Sequence, residues 1–139
     1  MEQQFYLHLS SKDSTDLYPD NKPSSFVVHL PETMRFIGKW VCAICEIRFN
    51  YDPVGSHENI YVCSDLCEES IVGSKKFPLL RQVTPKGRKS KNQVLVEFNH
   101  HFYVRVIQEE VDSVGINIRN RNGSEVPFLT EEFNCILHF

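Results

Sequence analysis

The sequence lacks a long apolar run. No stretch approaches the roughly 18 consecutive apolar residues that a membrane-spanning helix needs. The residues after Met1 also lack a basic segment followed by an apolar one, which argues against a secretory signal peptide. We therefore expect the protein to be made in the cytosol, to reside in the cytosol or the nucleus, and to have no membrane partner.

The sequence also lacks a large excess of either positive or negative charge. The 139 residues carry a formal net charge of −3, which gives the surface as a whole no attraction for nucleic acid or anionic lipid. The five cysteines are an odd number, and without a secretory signal they do not indicate a disulfide framework. We expect reduced thiols and no sequence-specific recognition of nucleic acid.

Signatures of nucleotide binding and of nucleophilic catalysis are missing as well. The sequence contains no P-loop, no glycine-rich dinucleotide motif and no G-x-S-x-G turn. Three adjacent pairs of acidic residues, at 68–69, 109–110 and 131–132, lack the isolated apolar surroundings that tune a catalytic carboxylate. We therefore expect a protein that is not an enzyme and that needs no cofactor.

Short apolar runs with a period of two residues dominate what is present. Strands are predicted at 5–11, at 25–32 with an end at Pro31, and at 134–139, whereas no stretch has helical spacing over three turns. Only SDLCEESIVG could form one helical turn, and Asn122-Gly123 predicts a tight hairpin. The sequence predicts one all-β domain over residues 1–139, a jelly-roll-like β-sandwich of about eight antiparallel strands.

Four cysteines have a spacing that resembles a structural zinc site. Cys42 and Cys45 form a C-x-x-C pair, and Cys63 and Cys67 follow after seventeen intervening residues. The residues around the first pair are apolar and predict an extended strand, on which positions three apart point to opposite faces. We favour cysteines that pack as small hydrophobes in the core, with a zinc-stabilised adaptor as the alternative.

One loop is strongly basic and is a candidate contact for phosphate or for an acidic partner. The stretch TPKGRKSK concentrates four positive charges, and a solvated loop between strands is the simpler interpretation. Its basic residues are Lys86, Arg88, Lys89 and Lys91.

Several short motifs along the chain form a pattern known from one class of mobile elements and viruses. In residues 18–49 the pattern comprises Pro19-Asp20-Asn21, Leu30-Pro31, Gly38-Lys39-Trp40 and Glu46-Ile47. In residues 60–83, where the match is more specific, it comprises Asp65, Val72-Gly73 and Leu79-Leu80-Arg81. With the final VGINIRNRNGSEVPF and CILHF, the chain resembles small structural proteins of Polinton/Maverick elements and related adenovirus-like DNA viruses of the adintovirus type.

This resemblance implies a structural role in a virion rather than chemistry. It implies a jelly-roll capsid component that binds itself, as a homo-oligomer, or a larger major capsid protein. Arg81 would then be an interface anchor, because arginine is enriched at binding hot spots, unless its stem simply packs along the sheet. Asp65, which follows a strand, is expected to accept backbone N–H bonds. The alternative from another class is a monomeric β-sandwich module that binds a host or viral protein.

Overall fold

The computed structural model describes residues 4–51, 59–84 and 93–139. Every regular element within these ranges is a β-strand, as the period-two pattern predicts. The strands are β1 (Tyr6–Ser10), β2 (Ser25–Arg35), β3 (Val41–Tyr51), β4 (Ile60–Ser64), β5 (Ser70–Val72), β6 (Lys75–Phe77), β7 (Leu79–Val83), β8 (Gln93–Glu97), β9 (Val104–Arg105), β10 (Glu110–Arg119) and β11 (Leu129–His138).

The strands form two antiparallel sheets and a small hairpin. Sheet one has the order β1-β11-β3-β8, and β9 also pairs with β3, beyond the end of β8. Sheet two has the order β2-β10-β4-β7, and β5 pairs with β6. If the eight sheet strands other than β9 are numbered along the chain, the two orders become 1-8-3-6 and 2-7-4-5. This is the strand order of a jelly roll, so the predicted all-β sandwich is confirmed.

The core lies between the two sheets and is rich in aromatic rings. Phe133 of β11 stacks on Phe49 of β3, with ring centroids 5.6 Å apart. On its other side, Phe133 lies 6.1 Å from the ring of Phe26, which belongs to β2 in the opposite sheet. All three rings are almost completely removed from solvent. Phe133 therefore holds the two sheets together at the centre of the sandwich.

A β-bulge in β3 changes which residues of the strand face the core. Ile44 lies opposite Leu137, whereas Glu46 lies opposite Ile136, so Cys45 is an additional residue without its own partner on β11. The buried positions consequently change from even numbers, as at Ile44, to odd numbers further along the strand. Glu46 is half-buried and lies opposite Glu97 of β8 on its other side.

Strand β4 is buried on both faces because the β5–β6 hairpin covers it. On the outer face, Tyr61 and Cys63 pack with Val72 and Phe77 of the hairpin in a second, smaller apolar cluster. The hairpin turns at Gly73, which has a φ of +62° that favours glycine. The helical turn considered for SDLCEESIVG is therefore wrong for residues 70–72, which form a strand that packs Val72 on β4 and leaves Ile71 exposed.

Pro31 does not end β2, contrary to the prediction. The strand continues to Arg35, but its pairing with β10 is irregular between His29 and Met34. Proline removes one backbone donor and is tolerated on an edge strand, and β2 is the edge of sheet two. The extended chain therefore continues through Pro31.

The hairpin predicted at Asn122-Gly123 is also wrong, although the turn itself exists. Gly123 has a φ of +89°, and its N–H donates a hydrogen bond to the carbonyl of Asn120. Across the turn, a single bridge joins Arg119 and Glu125, with backbone hydrogen bonds from the N–H of Asn120 to Ser124 and from the N–H of Val126 to Ile118, before the chain crosses from sheet two to sheet one. Local turn chemistry does not determine whether the strands on either side of a turn pair with each other.

Candidate functional site

The four cysteines of the zinc alternative do not converge. The Sγ atoms of Cys42 and Cys67 lie 4.0 Å apart in the core between the sheets. The Cys45 thiol donates a hydrogen bond of 3.4 Å to the carbonyl of Ile136, and Cys63 lies beneath the β5–β6 hairpin. Two thiols in contact are too few for a tetrahedral zinc site. Among the residues that the structure describes, no three metal-ligating side chains are grouped.

The prediction of core cysteines is therefore confirmed for Cys42, Cys63 and Cys67, which are all buried. It is wrong for Cys45, which is half-buried and lies outside both apolar clusters. The reason is the bulge in β3, which gives this residue no regular place on either face of the strand.

The surroundings of four cysteine thiols raise their pKa above the ordinary value. Desolvation raises the pKa of Cys63 to about 11 and that of Cys135 to about 12. It also raises the pKa of Cys45, and the pKa of Cys67 is raised first by the hydrogen bond with Cys42 and then by burial. Because the thiolate is the nucleophilic form, these surroundings do not favour catalysis by these thiols.

Asp65 joins two strands of sheet two rather than lining a pocket. Its Oδ1 accepts a hydrogen bond of 2.9 Å from the backbone N–H of Gly115 on β10, as expected for a carboxylate after a strand. A Cβ at position 115 would lie 3.3 Å from this carboxylate, so glycine allows the close approach. Asp65 thus extends the β4–β10 pairing beyond the end of β4.

Two carboxyl groups are expected to affect stability with opposite pH dependence. Desolvation raises the pKa of Asp65, whereas hydrogen bonds from Ser24 and Lys22 lower the pKa of Glu125. A raised pKa gives stability that is fully present below the unfolded pKa and is lost as the pH rises through the folded pKa. A lowered pKa gives stability that is present above the unfolded pKa and is lost as the pH falls through the folded pKa.

The substitutions Asp65→Asn and Glu125→Gln test this expectation. Relative to the parent chain, Asp65→Asn should gain free energy of unfolding as the pH rises above 3.8, the ordinary pKa of the group. Glu125→Gln should instead lose free energy of unfolding as the pH rises towards its ordinary 4.5. Urea unfolding at a series of acidic pH values measures both differences, and two curves that slope in the same direction would contradict the assignment.

The Gly-x-Trp motif closes one end of the sandwich. Gly38 turns the chain with a φ of +86°, and the indole N–H of Trp40 donates a hydrogen bond of 3.0 Å to the carbonyl of Ile37. The indole ring packs against Phe5 and Phe36, at centroid distances of 5.6 Å and 5.5 Å. The motif residues thus have a structural use, as do Leu80 in the core and Leu79 in the second cluster.

Arg81 lies between two aromatic rings of the segment that joins β8 to β9. Its Cζ is 3.9 Å from the ring centroid of Phe98 and 4.4 Å from that of Phe102. The guanidinium also donates a hydrogen bond to the carbonyl of His100, and partial desolvation lowers its pKa. We call residues 98–104 the clasp segment, because this cluster fastens it to β7. Sequence reasoning singled out Arg81 but missed its aromatic partners, whose signal was the pair of phenylalanines flanking NHH.

The other side of the clasp segment carries a chain of polar contacts on sheet one. The Tyr103 hydroxyl lies 2.7 Å from Nδ1 of His138 and 3.3 Å from Nδ1 of His101. The opposite nitrogen of His138 lies 2.8 Å from Oε1 of Gln4, and its ring stacks on Tyr6. These contacts bind both ends of the described chain to the clasp segment.

A cleft of about 500 Å³ opens at the end of the sandwich next to the Gly-x-Trp motif. Its walls combine the exposed apolar side chains of Ile37 and Ile107 with charged residues, among which Arg35 and Glu110 form an ion pair of 3.3 Å. The cleft contains no grouped metal ligands among the described residues.

The candidate basic loop lies outside the described residues, so Lys86, Arg88, Lys89 and Lys91 keep the role of a sequence prediction. Within the described ranges, no helix is long and apolar enough to span a membrane.

The fold is similar to that in the crystal structure of the mavirus penton protein. The two structures superimpose with a TM-score of 0.68 over 99% of this chain and 99% of that chain, at 7% sequence identity. This chain shares the fold of that penton protein. No family model matches the sequence, and no curated protein matches it either. The structural likeness therefore extends over the whole jelly roll without a detectable likeness in sequence.

Proposed function

We propose that this chain is a non-enzymatic structural protein of a DNA virus or a related mobile element. It would be a small jelly-roll component of the capsid that binds further copies of itself or a larger capsid protein. The observation that carries the proposal is the likeness to a penton protein over 99% of both chains. A fold alone does not define a function, but here the likeness leaves almost no part of either chain outside the shared fold.

Three further observations support a structural role. The side chains that sequence motifs singled out are used for folding: Asp65 joins strands, and Trp40 closes an end of the sandwich. The pKa values of four thiols, those of Cys45, Cys63, Cys67 and Cys135, are raised, which disfavours the nucleophilic thiolate form. The resemblance of residues 18–49 and 60–83 to Polinton/Maverick structural proteins supports the same role, and it favours that lineage.

We expect the purified chain to form an oligomer of defined stoichiometry, alone or with a capsid protein encoded beside it. Size-exclusion chromatography with light scattering measures this for the chain alone and after co-expression with the candidate capsid protein. A chain that stays monomeric at its highest soluble concentration, and that is absent from virion fractions, would contradict the proposal. A co-purified partner outside the virion would favour the monomeric binding module instead.

The lineage is tested separately from the role. A gene for this chain that lies beside genes for a protein-primed polymerase, an integrase, a packaging ATPase and a double jelly-roll capsid protein would support the Polinton assignment. A capsid role together with an unrelated gene neighbourhood would leave the function standing and reject the lineage.

A further inference from the structure

Strand β2 forms one edge of sheet two and is long enough to accept a strand from another molecule. It extends over eleven residues, from Ser25 to Arg35, and among the strands that the structure describes it pairs with β10 alone. Along such an edge, alternate residues point their N–H and C=O groups outwards, where a strand of a second chain could bind them. The outward groups of β2 are therefore the ones that decide whether this edge can recruit another copy.

Each outward-facing donor from Ser25 to Pro31 is already bonded or is missing. Ser25 exchanges two backbone hydrogen bonds of 3.0 Å with Lys22. The N–H of His29 donates a hydrogen bond of 2.9 Å to the hydroxyl of Ser14. Pro31 has no N–H to offer. The partners Ser14 and Lys22 both belong to the loop between β1 and β2, residues 11–24, which we call the β1–β2 loop.

Between these positions, the side chain of Asn21 takes the place of a neighbouring strand. Its Oδ1 accepts a hydrogen bond of 3.0 Å from the N–H of Val27, and its Nδ2 donates one of 2.8 Å to the carbonyl of the same residue. A residue of an antiparallel strand would make the same pair of bonds with Val27. The Nδ2 group also donates a hydrogen bond of 3.2 Å to the carbonyl of Asp13, which fixes the amide within its loop.

We propose that the β1–β2 loop, and Asn21 above all, keeps the edge of β2 from pairing with a strand of a second copy of this chain. The loop closes the edge at three successive outward-facing residues by three different means: backbone bonds at Ser25, a side-chain amide at Val27 and a hydroxyl at His29. The proposal holds whether or not the chain is a capsid protein, because it concerns which edge remains available for contact between copies.

The test compares Asn21→Ala with a matched substitution, Asn120→Ala. The Asn120 side chain also accepts two backbone hydrogen bonds, from the N–H groups of Asn122 and Ser124, but it lies in a turn away from β2. Removing the Asn21 amide frees the N–H and C=O of Val27, and two net hydrogen bonds between copies correspond to about a tenfold change in association. Light scattering over a concentration series should therefore show stronger association between copies for Asn21→Ala than for the parent chain. Asn120→Ala should associate like the parent chain.

Two further measurements separate strand pairing from loss of folding. Hydrogen exchange of the Val27 amide in Asn21→Ala should be fast at low protein concentration and should slow as the concentration rises. Adding His29→Lys, which places a charge on the exposed edge, should return association to the parent value. If Asn21→Ala does not increase association, or if His29→Lys leaves the increase unchanged, the β1–β2 loop does not have this role.

Discussion

Replacing Phe133 by alanine should lower the free energy of unfolding by about 3–5 kcal/mol. The ring lies between Phe49 of its own sheet and Phe26 of the opposite sheet. Its removal therefore leaves a cavity where the two sheets meet, and surrounding groups on two sheets cannot both move in to fill it. Equilibrium urea unfolding measures the loss, and an unchanged m-value would show that the folded state stays compact.

Ile37→Ala is the matched control for this prediction. Its side chain is 83% exposed, so its truncation should change the free energy of unfolding by no more than about 0.5 kcal/mol. Burial of a large apolar side chain contributes at least about 1.5 kcal/mol. A smaller loss of unfolding free energy for Phe133→Ala would therefore contradict the central position that we assign to this ring.

Replacing Arg81 by alanine should cost about 1–3 kcal/mol of unfolding free energy, from two cation–π contacts and one hydrogen bond. The same change should release the clasp segment, because the rings of Phe98 and Phe102 lose the guanidinium between them. Chymotrypsin should then cleave at Phe102 or Tyr103 faster than in the parent chain, and peptide mass spectrometry locates the cut.

Arg81→Lys is the informative partner substitution. A lysine keeps the charge but has no flat group to stack between two rings, so it should recover less than half of the lost protection against cleavage. If Arg81→Ala left stability and cleavage unchanged but abolished assembly, the guanidinium would act between chains, as the motif resemblance implies. If Arg81→Ala both increased cleavage and abolished assembly, assembly would depend on the ordered clasp segment.

The sequence predicts the sandwich well because alternation within a strand is a local signal. The last strand alternates Cys135, Leu137 and Phe139 towards the core, and these residues are indeed buried. The same alternation separated Cys42 from Cys45 and so argued against the zinc site. The contact between Cys42 and Cys67 could not be predicted, since it depends on how two sheets meet.

The wrong predictions share one physical cause, which is that pairing partners are chosen by the whole fold. Asn122-Gly123 has the chemistry of a hairpin turn, yet the strands on its two sides belong to different sheets. Pro31 would end a central strand, but β2 is an edge strand, so the missing donor removes no ladder bond that the sheet needs. The motif resemblance included Asn21, but nothing in the sequence indicated its contact with Val27, because that contact forms only when the loop returns to the edge of β2.

The position of β11 has a consequence for the order in which a newly made chain can fold. Residues 129–138 lie between β1 and β3 in sheet one, and Phe5 exchanges backbone hydrogen bonds with Phe139. A nascent chain whose residues 129–138 are still inside the ribosome therefore has β1 and β3 without the strand that joins them, and the apolar faces of these strands are uncovered. Pairing across such long separations in sequence is slow. Closure of sheet one must follow the emergence of residues 129–138 from the exit tunnel, so chaperones can bind the exposed apolar faces before that moment.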